Sequence, residues 1–287
     1  MIILAGEHAV VHGYTAVASS IDLYTVVSLR LHSENEDSIR LQLEDVGLDF
    51  SWPIKRIKEV LSHLGSPFSS TPTLCSLETV KSITALVDEQ SFPETRIGLA
   101  SGVCAFLWLY TSILGFKPGT VIVTSELPLG AALGSSAAYC VALSAALPAF
   151  SDSMKLDVNK WAFEEEKIIH GRPFGVDNSV STFARKSRHP DALCCVLNAI
   201  ESISKEWSTI IQSHTVDDLS VTANEDRLRE LMEMNQGLLL SIGVTHASIE
   251  TVLQIAMKHK LASKLTGAGG GGCWLTFTYL YPRSSSL

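Results

Sequence analysis

The sequence is short of positive charge. It carries 22 lysine and arginine residues against 30 aspartate and glutamate residues, which gives a formal net charge of −8. Nucleic-acid binding depends on neutralising phosphates with basic side chains, so this balance argues against a nucleic-acid partner. One short basic run, at residues 185–189, is typical of a solvated loop rather than of a binding patch.

The cysteines lack the spacing of a metal site. None of the six lies in a CxxC pair or in a Cys/His ligand pattern. Free thiols in a reducing compartment are the simplest interpretation. The N-terminal apolar run MIILAG has no basic segment before it and meets Glu7 and His8 directly, so it makes a poor signal peptide. We therefore expect a cytoplasmic protein.

Two stretches lack charge altogether, at residues 97–116 and 127–150. Each is long enough to cross a bilayer, so a membrane protein is one alternative. The second stretch contains Pro128 and a Gly-Ser-Ser sequence in its interior, and a continuous span there would leave backbone groups unsatisfied in lipid. Buried helices of a globular core, with no membrane partner, are the favoured interpretation.

The hydrophobic pattern predicts an α+β fold, with strands early in the chain and helices later. Alternation predicts strands at 15–31, 39–43 and 120–125. Helical spacing predicts helices at 54–64, 74–87, 100–114, 136–146, 158–170, 192–212, 225–242 and 248–260. Beyond a basic, proline-containing break at 184–190 we expect one strand, at 273–279. The break predicts two domains, 1–184 and 185–287.

A loop of small residues precedes one of these helices. It consists of Gly130, Ala131, Ala132, Leu133, Gly134, Ser135 and Ser136. Small residues let the backbone approach a ligand, and the unpaired N–H groups of a helix start favour phosphate. The Ser136 hydroxyl is also a candidate ligand for Mg²⁺. Ordinary helix capping remains the alternative, and the P-loop of NTPases is excluded because no lysine follows the second glycine.

A second glycine-rich segment lies near the C-terminus, at residues 267–272, and contains Gly267, Gly269 and Gly270. Its spacing formally matches GxGxxG, but it follows a predicted helix and precedes a strand, which excludes a dinucleotide-binding βαβ unit. Five glycines in six residues cost much conformational entropy on ordering. A loop that lets a ligand approach is therefore favoured over a plain turn.

Two carboxylates flank a predicted turn in the sequence EEEKIIHGRPFGVDN at residues 164–178. The helix that carries Glu166 should end at Gly171, and Gly175 permits a turn that presents Asp177. In magnesium-dependent phosphoryl transfer, one carboxylate holds the metal and the other deprotonates the attacking hydroxyl. The alternative is a solvated helical face, which we expect for Glu164 and Glu165.

A fourth motif, GEHAVVHG, occupies residues 6–13. A lone histidine is more often structural than functional. Adjacent Glu7 and His8 between two glycines nevertheless suit a polyhydroxylated or carboxylated substrate, because they combine a carboxylate with a ring that can donate and accept hydrogen bonds.

In this order, the four motifs resemble those of the GHMP kinases, and GEHAVVHG is similar to the form found in the mevalonate-phosphorylating branch of that family. The resemblance covers nearly the whole chain. It implies a ribosomal-S5-like N-terminal domain and an incomplete ferredoxin-like C-terminal domain. It also implies transfer of the γ-phosphoryl group of ATP to the 5-hydroxyl of mevalonate, a step of isoprenoid biosynthesis.

The resemblance further implies a role for each motif. Asp177 would be the catalytic base, Glu166 and Ser136 would bind Mg²⁺, and the loop 130–136 would hold the ATP phosphates. Glu7, His8 and the glycines of 267–272 would lie on the substrate side. A homodimer is one assembly open to such a chain.

The chain also departs from the family pattern. Met1 stands where the family has lysine, Ala132 where it has glycine and Phe174 where it has serine. After residue 184 the chain passes almost directly to the next helix. We therefore expect a truncated or internally deleted form whose C-terminal helices keep apolar stripes uncovered. The alternatives are an inactive nucleotide-binding member and a kinase for another small molecule.

Overall fold

A computed structural model describes residues 2–33, 36–61, 75–90, 99–131, 133–150, 157–170, 189–213, 218–267 and 273–278. The chain divides into two compact units. The ribbon unit comprises Met1–Asp22, Leu129–Gly134 and Val176–Leu287, and the sheet unit comprises Leu23–Pro128 and Ser135–Gly175. The first 22 residues therefore group with the C-terminal part of the chain, while the predicted boundary near residue 184 lies outside the described residues.

The described elements begin with strands, continue mainly as helices and end with two strands. The strands are β1 (Ile2–Ala5), β2 (Val17–Ser19), β3 (Thr25–Leu31), β4 (Ser38–Leu43), β5 (Leu48–Pro53), β6 (Gly119–Ser125), β7 (Ala262–Leu265) and β8 (Trp274–Phe277). The α-helices are α1 (Ile54–Leu61), α2 (Leu77–Asp88), α3 (Ala100–Leu114), α4 (Ser135–Ala146), α5 (Val158–His170), α6 (Pro190–Gln212), α7 (Asp218–Ser241) and α8 (Ala247–Lys258). The α+β class predicted from the sequence is confirmed.

The sheet unit is built on four strands in the order β3-β6-β4-β5. β6 pairs antiparallel with β3 and parallel with β4, and β4 and β5 form an antiparallel hairpin. In register, Leu41 lies opposite both Val121 and Phe50, and all three are buried. Residues of the alternate positions, such as Arg40 and its ion-pair partner Asp49, stay exposed. The sheet thus has one apolar and one polar face.

Helix α3 fills the core of the sheet unit, with eleven of its fifteen residues buried. Its Phe106 lies against Trp52 of β5 and Tyr110, and its Trp108 packs on Trp161 of α5 with ring centroids 5.6 Å apart. The part of the uncharged stretch that forms α3 is therefore a core helix, as expected. No helix within the described ranges combines the length and the apolar character that a bilayer crossing needs.

The ribbon unit contains two small antiparallel ribbons, β1 with β2 and β7 with β8. Around them lie α6, α7 and α8. One apolar cluster joins Ile200, Leu239 and Leu265, and a second joins Trp207 and Leu231 with their neighbours. Outside these clusters, Met234, Leu240, Ile255 and Met257 remain half or more exposed. The expectation of uncovered apolar stripes on the C-terminal helices stays a prediction, because the stripe of α6 is buried in the described residues and the exposed side chains are single positions.

Several strands differ from the sequence prediction. The single strand expected at 15–31 is two strands, β2 and β3, and β1 and β5 were missed. The expectation of one strand after residues 184–190 is wrong, because β7 is a second. All four positions of its sequence ASKL are buried, so it shows no alternation. It also contains no β-branched residue that would indicate a strand. The six cysteines are free thiols, as predicted.

Candidate active site

A sharp turn at Gly6–Gly13, which we call the GEH turn, follows directly on β1. Gly6 has φ +97°, and a Cβ there would lie 2.5 Å from the carbonyl oxygen of Thr15, so a side chain is excluded. The Val10 N–H donates to the Gly6 carbonyl at 3.1 Å, and Val10–His12 form a 3-10 turn that ends at Gly13. The backbone therefore reverses within a few residues and returns along β2.

The Glu7 side chain is completely buried and charge-compensated. It forms an ion pair with Lys264 of β7, which is equally buried. Asn235 of α7 donates from Nδ2 to the second carboxylate oxygen at 3.1 Å. Lys264 Nζ also donates to the Leu265 carbonyl at 2.8 Å. Each Glu7 oxygen thus has a donor, which offsets part of the cost of removing two charges from water.

Thr266 ties the end of β7 to β1. Its hydroxyl donates to the Ile3 carbonyl at 3.0 Å and accepts from the Ile3 N–H at 3.1 Å. Gln236 of α7 accepts a hydrogen bond from the Leu265 N–H at 2.8 Å. We call Glu7, Asn235, Gln236, Lys264 and Thr266 the polar cluster. It fixes the strand that enters the GEH turn to the strand that enters the glycine-rich segment.

His8 is held in an unusual state. It is 2% exposed, and its φ of 62° lies in the left-handed region, which is uncommon for residues other than glycine. Among the described residues, neither ring nitrogen has a hydrogen-bond partner. Burial, together with the charges of Lys264 and His12, lowers the pKa of His8 to about 4. The ring is therefore neutral at physiological pH and offers one donor and one acceptor to a ligand.

The phosphate-loop candidate lies between two glycines in the left-handed region, Gly130 at φ +72° and Gly134 at φ +74°. Helix α4 begins directly afterwards at Ser135, one residue earlier than predicted. Within the ribbon unit, the Ala131 carbonyl accepts a hydrogen bond from the Cys273 N–H at 3.2 Å. The loop is therefore bonded to the residue that follows the glycine-rich segment.

The glutamates of α5 differ from the sequence expectation. Glu165 is completely buried, and Glu164 is 14% exposed and paired with Lys167, so the solvated face expected for these two residues is wrong. The reason is that α5 packs against both α3 and α4. Burial raises the pKa of Glu165 well above its usual value, and the charge of Glu166 acts in the same direction. Ser144 donates to Glu165 at 3.5 Å.

Part of the predicted site falls outside the described residues, namely Ala132, Asp177, Gly269 and Gly270, together with Met1 and Phe174. In the described ranges, no three His, Cys, Asp or Glu side chains lie close enough to hold a metal ion together. Sequence reasoning missed Lys264 and Asn235 as partners of Glu7. A lysine in a segment that directly precedes a glycine-rich loop was the one available signal for Lys264.

Family comparisons agree with the motif order. The family model for the GHMP kinases N terminal domain matches residues 99–185, and the one for the GHMP kinases C terminal matches residues 220–281. The crystal structure of L. major mevalonate kinase in complex with R-mevalonate superposes with a TM-score of 0.65. It covers 99% of this chain and 85% of that one at 18% identity, which shows a shared fold.

Two relatives are more similar in sequence. The mevalonate kinase of Arabidopsis thaliana is 52% identical over 334 aligned residues, which cover 96% of this chain and 88% of the relative. The human mevalonate kinase is 33% identical and covers 96% of this chain and 83% of its own length. The first alignment is longer than this 287-residue chain, so that relative carries internal residues without a counterpart here. The chain belongs to the GHMP kinase family, within its mevalonate kinase branch.

Proposed function

We propose that this chain transfers the γ-phosphoryl group of ATP to mevalonate. The observation that carries the proposal is the GEH turn, in which a buried, neutral His8 without a partner in the described residues stands beside a fully compensated Glu7. A buried polar group of this kind is rarely left unpartnered in a folded protein, so a ligand or an ordered water is expected to complete it. The relatives named as mevalonate kinases identify the ligand.

On the substrate side, His8 would bind an oxygen of mevalonate, donating from one ring nitrogen or accepting at the other. The polar cluster ties β7 to Glu7 of the same turn, and the glycines that follow β7, namely Gly267, Gly269 and Gly270, would let the backbone come close to the bound substrate. Asp177 would accept the proton of the attacking hydroxyl, the role that the motif resemblance assigns to it.

The ATP phosphates would be held by the loop of residues 130–136. Gly130 and Gly134 adopt left-handed conformations, and α4 starts at Ser135, so the loop leads directly into the N-terminus of a helix. The positive end of the helix dipole also favours a negatively charged phosphate at this end.

The residues of the sheet unit fit a magnesium ion. The pKa of Cys140 on α4 is raised by burial and by the charges of Glu165 and Glu166, so Glu166 lies close enough to that helix to act on the thiol. Ser136 lies four residues before Cys140, on the same side of that helix. A carboxylate and a hydroxyl are the oxygen ligands that Mg²⁺ prefers. When bound, the ion would neutralise charge on the transferred phosphoryl group.

The wider setting belongs to the same proposal. Phosphorylation of mevalonate would place the chain in isoprenoid and sterol biosynthesis, in the cytoplasm, and a homodimer is the assembly we propose for it. These assignments rest on the family relationship rather than on the geometry of the site.

The test is a coupled assay of ADP release by the purified full chain with Mg-ATP and mevalonate. We expect mevalonate-dependent turnover, lowered about 10²- to 10⁴-fold in Asp177→Asn, which removes the proposed base. The adjacent variant Asn178→Ser, which keeps Asp177, is the matched control. Nucleotide binding without turnover would instead indicate an inactive family member, and turnover with another alcohol but not with mevalonate would indicate a different substrate.

A further inference from the structure

The polar cluster contains residues that hold Glu7 in place in addition to Glu7 itself, namely Lys264 and Asn235. A buried ion pair loses much of its attraction to desolvation, and apolar residues of similar volume often replace such pairs without loss of stability. Lys264 and Glu7 are nevertheless both completely buried in the ribbon unit. Burial lowers the pKa of Lys264, because removal from water disfavours its charged form. Stability alone is therefore a weak reason for this arrangement.

The geometry of the polar cluster gives a better reason for burying this ion pair. Lys264 and Asn235 come from two different elements, β7 and α7, and between them they engage both oxygens of the Glu7 carboxylate. A carboxylate held from two sides cannot rotate, and Glu7 directly precedes His8. The ring of His8 thus projects from a backbone whose neighbour is anchored on both sides, although φ at His8 itself is strained.

The same residues reach the glycine-rich segment. Lys264 precedes Gly267 by three residues, and Thr266 is bonded to Ile3 of β1 through both its donor and its acceptor function. Displacement of β7 would therefore shift the GEH turn and the start of the glycine loop together. Loss of one of these contacts is therefore expected to weaken the productive binding of the substrate, because a misplacement of about 1 Å can lower a rate about a hundredfold.

We propose that Lys264 and Asn235 are positioning residues for mevalonate, which fix the Glu7 carboxylate so that His8 is presented to the substrate in one orientation. The inference rests on the proposed function. It concerns residues that make no contact with the reacting atoms, so their effect is expected on substrate binding rather than on nucleotide binding.

The experiment compares two variants of the cluster with a matched control. Lys264→Met removes the cation at nearly constant length, and Asn235→Leu removes one donor to Glu7 without removing a charge. Ser204→Ala is the control, because Ser204 is also a buried polar residue of the ribbon unit, but its hydroxyl donates to the Ile200 carbonyl within its own helix and it does not belong to the polar cluster. For each protein, KM for mevalonate, KM for ATP, kcat and the thermal midpoint are measured.

We expect KM for mevalonate to rise about tenfold or more in Asn235→Leu and further in Lys264→Met, with KM for ATP within about twofold of the parent protein. Ser204→Ala should keep both KM values. If Lys264→Met does not fold, as judged from its thermal midpoint, Asn235→Leu alone tests the inference, since it leaves Glu7 paired with Lys264.

Two results would overturn the inference. In the first, both cluster variants fold and keep the parent KM for mevalonate, so the pair is merely structural. In the second, Ser204→Ala raises KM for mevalonate as much as Asn235→Leu does, so the effect is a general loosening of the ribbon unit. A failure of the proposed function is recognised separately, because the parent protein itself would then show no mevalonate-dependent turnover.

Discussion

The two units of this chain differ in the kinds of side chain that they bury. In the sheet unit, aromatic rings of Trp52, Phe106 and Tyr110 meet between one sheet and its helices. The ribbon unit has apolar clusters too, but it also buries the charged pair of Glu7 and Lys264, and large apolar side chains of α7 and α8 stay exposed. Apolar packing stabilises a fold without directing it, whereas buried hydrogen bonds are directional. The comparison suggests that one unit supplies stability and the other orientation.

The largest expected effect tests the apolar side of this comparison. Phe106→Ala in α3 should lower the free energy of unfolding of the sheet unit by about 3–5 kcal/mol, since it removes a fully buried ring and leaves a cavity. Urea unfolding followed by tryptophan fluorescence measures this loss. Phe150→Ala, which truncates a ring 47% exposed, is the control and should cost far less. Equal losses would mean that the core is not where the stability lies.

The next effect concerns the polar interior of the ribbon unit and its dependence on pH. The pKa of His8 is lowered from 6.5 to about 4, so the unfolded chain binds this proton more readily than the folded one. The corresponding stability is fully present above pH 6.5 and is lost as the pH falls towards 4. The loss amounts to about 3 kcal/mol. Denaturant midpoints between pH 7 and pH 4 should show it.

The matched variant for this effect is His8→Asn, because asparagine tolerates the left-handed conformation that residue 8 adopts. It should flatten the decline between pH 6.5 and 4 while the other histidines remain. An unchanged pH profile in the variant would place the titrating group elsewhere.

A smaller effect, of opposite sign, is expected where a carboxyl group is buried in the apolar unit. Glu165→Met should raise the free energy of unfolding by about 1–2 kcal/mol, because it removes a completely buried carboxyl whose Oε1 has no partner in the described part of the chain. Calorimetry would show a higher thermal midpoint. Glu164→Met, at a residue paired with Lys167 on the same helix, should change it little. A lower midpoint for Glu165→Met would show that the carboxyl is needed for packing.

The smallest effect on stability concerns the exposed apolar surface of the ribbon unit. Met257→Lys, at a side chain 74% exposed on α8, should change the free energy of unfolding by no more than about 0.5 kcal/mol. It should nevertheless reduce aggregation on warming, measured by light scattering, because less apolar surface remains exposed. Gln254→Lys adds the same charge on the same helix without removing apolar surface. If both variants reduce scattering equally, charge rather than apolar exposure controls association.

Sequence patterns predicted the helices better than the strands, for a physical reason. Helices α3 and α5 have the predicted bounds, since long amphipathic or apolar segments carry a repeated signal. Strand β7 has four residues, all buried, and its identity depends on pairing with β8 rather than on its own composition. Strand β5 does alternate, but Asp49 and Pro53 obscure the pattern.

The site was predictable where chemistry is local in sequence. The GEH turn and the start of α4 follow from glycines and small residues that are adjacent in the chain. The partners of Glu7 did not follow, because Asn235 and Lys264 are brought to it by tertiary packing and no spacing rule connects them. Glu165 illustrates the converse, since a run of three glutamates predicts a solvated face until the helices that cover it are known.

The pairing of Glu7 with Lys264 also bears on how the chain is made. The two residues are 257 positions apart, so at ordinary rates of translation Glu7 waits roughly 10 to 50 seconds before its cation has been synthesised. The last residue of the sheet unit, Gly175, is added well before that point. On a ribosome, the sheet unit is therefore expected to fold first. The GEH turn would acquire its final form only near the end of synthesis, when β7 becomes available.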